Sequence, residues 1–374
     1  MTMGITSPTS TTGQILKNGS AVISFDANNN ATFAGNVAPS VNPTMRNRII
    51  NGAMVIDQRN AGASVTPTVG VYGLDRWKMG ATASSKYSFQ QNAGSVTPPA
   101  GFTNYLGVTS LSSYSITSTD AFLAFQYIEG YNIADLAWGT ANAKTVTLSF
   151  WVRSSLTGTF GGCLGNGNAT RSYPFTYTIS SANTWEQKTV TIAGDTSGTW
   201  LTTTSIGIGL YLGFGVGSTY SGTAGSWSGS GYYGATGATS VVGTNGATFY
   251  ITGVQLEAGS VATPFEQRLY GQELALCQRY YQTYGNYEGV GVAKDTTAAF
   301  FYYTLNPQMR TSATCTFTCP AVDRIGIALT STTGTGIVFA TDNMVVPYAT
   351  VTMSGMGQPC SPASGALLTA SAEL

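Results

Sequence analysis

Histidine is absent from the 374 residues, and charge is scarce: only 9% of the side chains are Asp, Glu, Lys or Arg, against roughly 25% in an average soluble protein. The first absence removes Ser-His and Cys-His nucleophile pairs and nearly every imidazole metal site. The little charge present is balanced, 16 basic against 16 acidic residues. No general attraction to nucleic acid or to an anionic bilayer follows from it. No apolar run approaches the roughly 20 residues that cross a bilayer. The first twenty residues, MTMGITSPTSTTGQILKNGS, lack the basic and apolar regions of a secretory signal. We therefore expect synthesis and assembly in a cytoplasm, with no membrane insertion and no nucleic-acid partner.

Paired cysteines are missing too. Cys163, Cys277, Cys315, Cys319 and Cys360 are odd in number and contain no CxxC pair, which argues against both a disulfide framework and a zinc site. In TCTFTCP, Cys315 and Cys319 would share one face of a strand, roughly 13 Å apart at about 3.3 Å per residue, too far for a disulfide. All five read as reduced packing residues. No loop has the acidic density of a dedicated calcium site. No cofactor, metal or catalytic residue is expected.

What the chain has is glycine, 46 residues, with 11% aromatics and loops rich in Ser, Thr and Asn. That composition suits a β-protein of many short strands and polar turns. Surface left so uncharged tends to be covered, so an oligomer is expected. Residues 1–45 hold few large apolar side chains apart from AVISFDANNNATFAGNV, which reads as a hairpin around a DANNN turn. A lone hairpin is marginal in water, which suggests docking to another protein.

Residues 46–268 carry strand signals at YSFQQ, FLAFQYIE, KTVTLSFWVRS, YPFTYTI, WEQKTVTIAG, IGIGLYLGF and ATFYITGVQLEAG. Leu148, Phe150 and Val152 share one face, as do Ile206, Ile208, Leu210 and Leu212. Gly207, Gly209 and Gly213 line the opposite face, which suggests close approach of other backbone. In the last strand Phe249, Ile251, Gly253 and Gln255 fall on one side. A single short helix is expected at NIADLAW, from Asn132. With no βαβ alternation, the pattern predicts an all-β fold, an antiparallel jelly-roll β-sandwich. From Leu269 the period changes to that of a helix over 269–284, with Leu269, Leu276 and Tyr280 on one face and Tyr270, Leu274, Cys277, Tyr281 and Tyr284 on another. A helix apolar on two sides is buried from two sides, one of them against neighbouring copies, so Leu269, Leu276 and Tyr280 are the expected interface of a homotrimer. Residues 285–374 supply further strands, AAFFYYTL with aromatics on both faces among them, and form a small distal β-domain. The tail SGALLTASAEL reads either as a terminal strand or as a segment that frays.

NRIINGAMVIDQR, GLDRWKM, LSFWVRSS and FYITGVQLEAGSVATPFEQRLYGQELALCQRYYQTYG follow one another in one order over residues 46–284. This series resembles a family of bacteriophage virion proteins, tail fibre or structural, that carry a carbohydrate-binding-module-like jelly roll. The N-terminal hairpin is similar to those at the particle-proximal ends of phage fibres. The resemblance implies a trimeric appendage, located in the virion, docked to other virion proteins through residues 1–45 and touching a host-surface glycan. It implies no conserved chemistry. A capsid or neck decoration protein is the alternative within the same architecture.

Hydrolysis is the competing class, because carboxylates at short spacing can serve as acid and base. Glu257, Glu266 and Glu273 read instead as parts of a joint, with Glu266–Arg268 and Glu273–Arg279 as pinning ion pairs. A glycan depolymerase would draw on a pair from Glu129, Asp135, Glu186 or Asp195. In GLDRW, Asp75, Arg76 and Trp77 could touch sugar, or Trp77 could be core beside an Asp75–Arg76 pair, which is the reading preferred here. The Gly/Ser-rich segment from Gly213 offers Tyr220, Trp227, Tyr232 and Tyr233 as low-charge glycan contacts of the kind found in adaptable recognition loops. Such a contact should be indifferent to salt.

Overall fold

Strands begin where side chains of large β propensity alternate between short polar turns. The computed structural model describes residues 3–6, 14–17, 20–25, 31–33, 46–68, 70–324, 327–353 and 357–374. Two compact units result, Met1–Arg46 and Asn47–Leu374. In the first, Met3–Thr6 (β1), Gln14–Lys17 (β2), Ser20–Phe25 (β3) and Ala31–Phe33 (β4) form an antiparallel meander in that order. The expected hairpin is its last turn, with Ile23 paired to Phe33 and Phe25 to Ala31. The DANNN residues between them lie outside the described residues.

The second unit opens with Val71–Tyr72 (β5), Lys78–Ala81 (β6), Tyr87–Gln91 (β7) and Leu106–Ser110 (β8). Ala121–Glu129 (β9), Val146–Ser154 (β10), Gly158–Asn166 (β11), Ser172–Ile179 (β12) and Glu186–Ile192 (β13) follow. Then come Ile206–Val216 (β14), the short parallel pair Ser221–Gly222 (β15) and Gly234–Ala235 (β16), and Thr248–Ala258 (β17). A five-stranded sheet, β13-β10-β17-β8-β7, faces a six-stranded one, β12-β11-β14-β9-β6-β5, and all neighbours in both are antiparallel. This is an antiparallel jelly-roll β-sandwich. One core joins the two inner faces, with Phe89, Leu148, Phe150 and Phe249 meeting Phe122, Phe160, Leu210 and Phe214. Each such side chain contributes about 1.5–3 kcal/mol by leaving water.

Strands β8 and β11 carry little alternation and were not legible in advance. β11 reads GTFGGCLGN, and its glycines are set by contact: a Cβ on Gly162 would lie 2.5 Å from the Phe175 ring and from the Tyr211 carbonyl oxygen. In β17 the expected alternation breaks. Gly253 adopts φ +62 and the register against β10 slips between Ser149 and Trp151, so a bulge intervenes. Val254 and Leu256 then join Phe249 and Ile251 in the core, and Gln255 does not share their face. NIADLAW forms two 3-10 turns, Gly130–Asn132 and Ala134–Leu136, and no α-helix.

The helix expected over 269–284 is shorter. Tyr270–Gln278 (α1) ends before Tyr281–Tyr284 (β18), which pairs with Leu367–Ser371. The strands after it are Val290–Ala293 (β19), Ala298–Thr304 (β20), Thr314–Thr318 (β21), Ala321–Arg324 (β22), Ile327–Ser331 (β23), Gly334–Ala340 (β24), Met344–Thr350 (β25), Pro359–Pro362 (β26) and Leu367–Ser371 (β27). β27 is the middle of a three-stranded sheet, β18-β27-β21, so the tail is a strand and does not fray. The other sheet runs β23-β22-β26-β19-β20-β25-β24, and Phe301, Tyr303, Val345, Phe317 and Leu368 fill a second core. Residues 285–374 thus have their own core within the same compact unit as the sandwich.

Candidate functional site

The carboxylates of the segment around α1 build a joint. Glu257 accepts from the Thr263 N–H at 2.8 Å, the Thr263 hydroxyl at 2.7 Å and Gln255 Nε2 at 2.9 Å. Glu266 accepts from the Asn47 N–H at 2.6 Å, and Glu273 from the Asn51 N–H. Arg268 pairs with Glu266 at 3.4 Å and Glu273 at 3.3 Å, and donates to the carbonyls of Asn47 and Ile49. Gln126 closes the same strap by donating to, and accepting from, the backbone of Ile50. The motif NRIING is therefore a buried backbone segment whose polar groups are met by side chains of β9, of the 259–269 segment and of α1, and by the backbone of β17. That is the requirement of any buried chain outside a sheet.

Two expected pairs are not formed. Arg279 binds Glu129, at 2.7 and 3.1 Å, and leaves Glu273 to Arg268. Residues six apart on a helix do not share a face, and α1 has already ended at Gln278. Asp75 accepts from Gln58, at 2.7 and 2.6 Å, with Arg59 at 3.9 Å as its cation. Arg76, at φ +69, turns the other way: it pairs with Glu373, donates to the Tyr127 carbonyl at 2.6 Å and lies 3.5 Å from the Tyr280 ring centre. Trp77 is fully buried and its indole donates to the Asn51 carbonyl at 3.0 Å. GLDRW is core and joint.

The proposed interface residues separate in the same region. Leu269 is 73% exposed, Leu276 is half-buried against Cys277 and Tyr280, and Tyr280 is wholly buried within its own chain. The Tyr280 hydroxyl donates to Glu129 at 2.8 Å, so Tyr280 presents nothing to a neighbour. The other carboxylates considered for hydrolysis are also engaged. Asp135 pairs with Arg48 at 2.6 Å, Asp195 with Arg171 at 2.7 Å, and Glu186 with Lys188. Hydrogen bonding to Lys188 and to the Ser180 and Ser181 N–H groups holds the Glu186 carboxyl below its ordinary range. Among the described residues, no group of three or more Cys, Asp or Glu side chains gathers as a metal site.

The candidate binding surface is the outer face of the six-stranded sheet, where Phe125, Tyr211 and Cys163 are buried and Tyr72, Lys78 and Tyr127 half-buried. Directly opposite partners place Tyr72, Lys78, Phe125, Tyr211, Cys163 and Pro174 in one row across its six strands. At roughly 4.8 Å per strand the row is about 24 Å long. The Phe125 and Tyr211 rings stack at 5.6 Å, and Tyr127 meets both edge-on, at 5.2 and 6.2 Å. Gly209 permits this. Its missing Cβ would lie 2.7 Å from the Tyr211 hydroxyl oxygen, so the ring lies back along its own strand. The close approach expected of other backbone is here an approach of this side chain. Burial raises the hydroxyls of Tyr127 and Tyr211 above their ordinary pKa, with their mutual hydrogen bond working the other way in Tyr127. Both remain protonated donors at neutral pH.

Three of the four loop aromatics come to this shelf. Tyr233 lies 5.0 Å from Tyr211 and stacks on Tyr220 at 5.3 Å, and Tyr232 packs beside them. Trp227 does not. It wedges among Trp138, Trp200 and Tyr173, at 5.3 to 5.4 Å, and its indole donates to the Ala193 carbonyl at 2.8 Å. Trp227 seals an end of the sandwich core. Sequence reading missed Tyr72, Phe125, Tyr127 and Tyr211. The available signal was AFLAFQYIE, where large apolar residues fall on both faces of a strand, the inner face meeting the sandwich core and the outer face a second buried cluster.

No protein-family model and no curated protein matches the chain. Solved structures similar to it include the enzymatically active domain of tailspike protein 4 of bacteriophage CBA120, at 12% identity and a TM-score of 0.33 over 58% of this chain and 22% of that one. TmCBM61, solved with β-1,4-galactotriose, matches at 9% identity and a TM-score of 0.29 over 57% of this chain and 99% of its own. The family 11 carbohydrate-binding module of Clostridium thermocellum, solved with a mixed-linked tetrasaccharide, matches at 12% and 0.27 over 53% and 100%.

Proposed function

We propose that this chain is a non-enzymatic structural protein of a bacteriophage particle, a trimeric tail fibre or similar appendage that touches host-surface glycan through the outer face of its six-stranded sheet. The observation that carries the glycan reading is the aromatic row. Phe125, Tyr127, Tyr211, Tyr220 and Tyr233 form a cluster on the side of the sheet opposite the core, in which Phe125 and Tyr211 are buried and Tyr127, Tyr220 and Tyr233 are half-buried. Aromatic rings stack on the apolar faces of sugars while hydroxyls hydrogen-bond at their edges. The absence of hydrolysis is supported by the engagement of Glu129, Asp135, Glu186 and Asp195 with arginine or lysine.

The virion setting rests on the resemblance of residues 46–284 to phage appendage proteins. Self-association finds support on the distal sheet, where Val290 and Tyr302 are paired and 75% and 48% exposed, beside the pair Val292 and Phe300. That row would be covered by neighbouring copies in the trimer. Contact with sugar would be weak at one site and raised by three-fold multivalency.

Two measurements test the reading. Binding to a panel of bacterial surface polysaccharides should fall roughly tenfold or more, about the 1.4 kcal/mol of one lost stacking contact, in a folded Tyr127→Ala/Tyr233→Ala variant. Immunogold labelling should place the protein on the particle. A double variant that binds as tightly as the wild type would remove the shelf from the account.

A further inference from the structure

One member of the aromatic row is a cation. Lys78 stands between Tyr72 and Phe125, its Nζ 5.3 Å from one ring centre and 5.8 Å from the other. It is half-buried, and it forms no ion pair among the described residues. Near this end of the row, Arg59 pairs with Asp75 and Glu373, and Arg76 pairs with Glu373. Leu374 closes the end by accepting from the Tyr72 hydroxyl at 2.9 Å through its main-chain oxygen. Among the described residues, no carboxylate side chain lies within ion-pair distance of Lys78.

From this geometry we infer that the shelf takes an acidic glycan, with a sugar carboxylate meeting Lys78 while adjoining rings stack on the half-buried Tyr127 and Tyr233. The inference rests on the glycan reading and narrows it, because the sequence led us to expect a neutral contact. A lysine ammonium on a flexible stem recognises a carboxylate as a point charge, without the planar fork an arginine would impose. The aromatic neighbours hold its stem along the sheet and lower the local polarity, so an approaching anion meets less screening than it would at an open lysine.

The test uses one polymer with its sugar carboxylates free or capped, polygalacturonate and its full methyl ester. At low salt the wild type should bind polygalacturonate roughly fivefold more tightly, the scale of one half-exposed charge contact. Salt should erode that preference and leave the ester untouched. Lys78→Gln should abolish the preference while retaining affinity for the ester, and Lys78→Arg should keep it. Tyr127→Ala/Tyr233→Ala should weaken binding of both polymers. An undiminished preference in Lys78→Gln, or equal wild-type binding of both polymers, overturns the role of Lys78 and leaves the shelf standing. If the wild type binds neither polymer, this inference fails. The glycan reading itself falls only if the bacterial panel is also negative.

Discussion

At the scale of the residue, burial sets the chemistry of the thiols and removes it. Cys163, Cys277, Cys319 and Cys360 are buried and Cys315 half-buried, all as free thiols. Burial pushes Cys315 and Cys360 up to about 11. The thiolate is the reactive form, so the five should resist a disulfide reagent at pH 8 and all should react once the chain is unfolded in urea. One fast thiol in the native protein would contradict that. The same shifts give a pH dependence. The folded thiols hold their protons to about 11 against 9.0 for the free residue, so stability present below pH 9 should be lost as pH rises from 9 toward 11. Urea midpoints across that window report it.

At the scale of the element, α1 and its flanks show which apolar residues are structural. Tyr280 lies under Arg76, bonds Glu129 and has no exposed surface. Replacing it by Ala should cost about 3–5 kcal/mol, as for other large buried rings. Leu269→Ala, at 73% exposure, should change stability by no more than about 0.5 kcal/mol. Urea denaturation of the two variants compares them directly, and equal losses would restore the two-sided burial expected from the helical pattern. The helix stops early for reasons outside its own sequence. β18 is drawn into pairing with β27, and Gln282 caps the end by donating to the Gln278 carbonyl at 2.9 Å and to the Pro307 carbonyl at 2.7 Å.

At the scale of the whole molecule, the chain is one small unit and one large one. Deleting residues 1–46 should leave the remainder folded, with its near-ultraviolet circular dichroism unchanged and its melting temperature moved by less than about 2 °C. On the proposed function, the truncated protein should no longer enter particles. Unfolding of the remainder would show that the large unit depends on the small one. Normal incorporation would place the docking element elsewhere.

The sequence by itself determined what alternation and composition can specify. Low charge, abundant glycine and period-two runs fix an all-β chain, because a strand declares itself locally through side chains that point alternately to two faces. On that basis β7, β9, β10, β12, β13, β14 and β17 were legible, as was the structural role of Glu257, Glu266 and Glu273. Tertiary structure decided everything that depends on a distant partner. The bulge at Gly253 reversed the face of Gln255, and β27, nearly ninety residues downstream, converted the end of a helical pattern into β18. Trp227 and Tyr233 sit six residues apart in one low-complexity loop, yet one seals the core and the other lies on the shelf. No periodicity separates them, because which ring a loop residue meets is settled by packing between strands and not by the residues beside it.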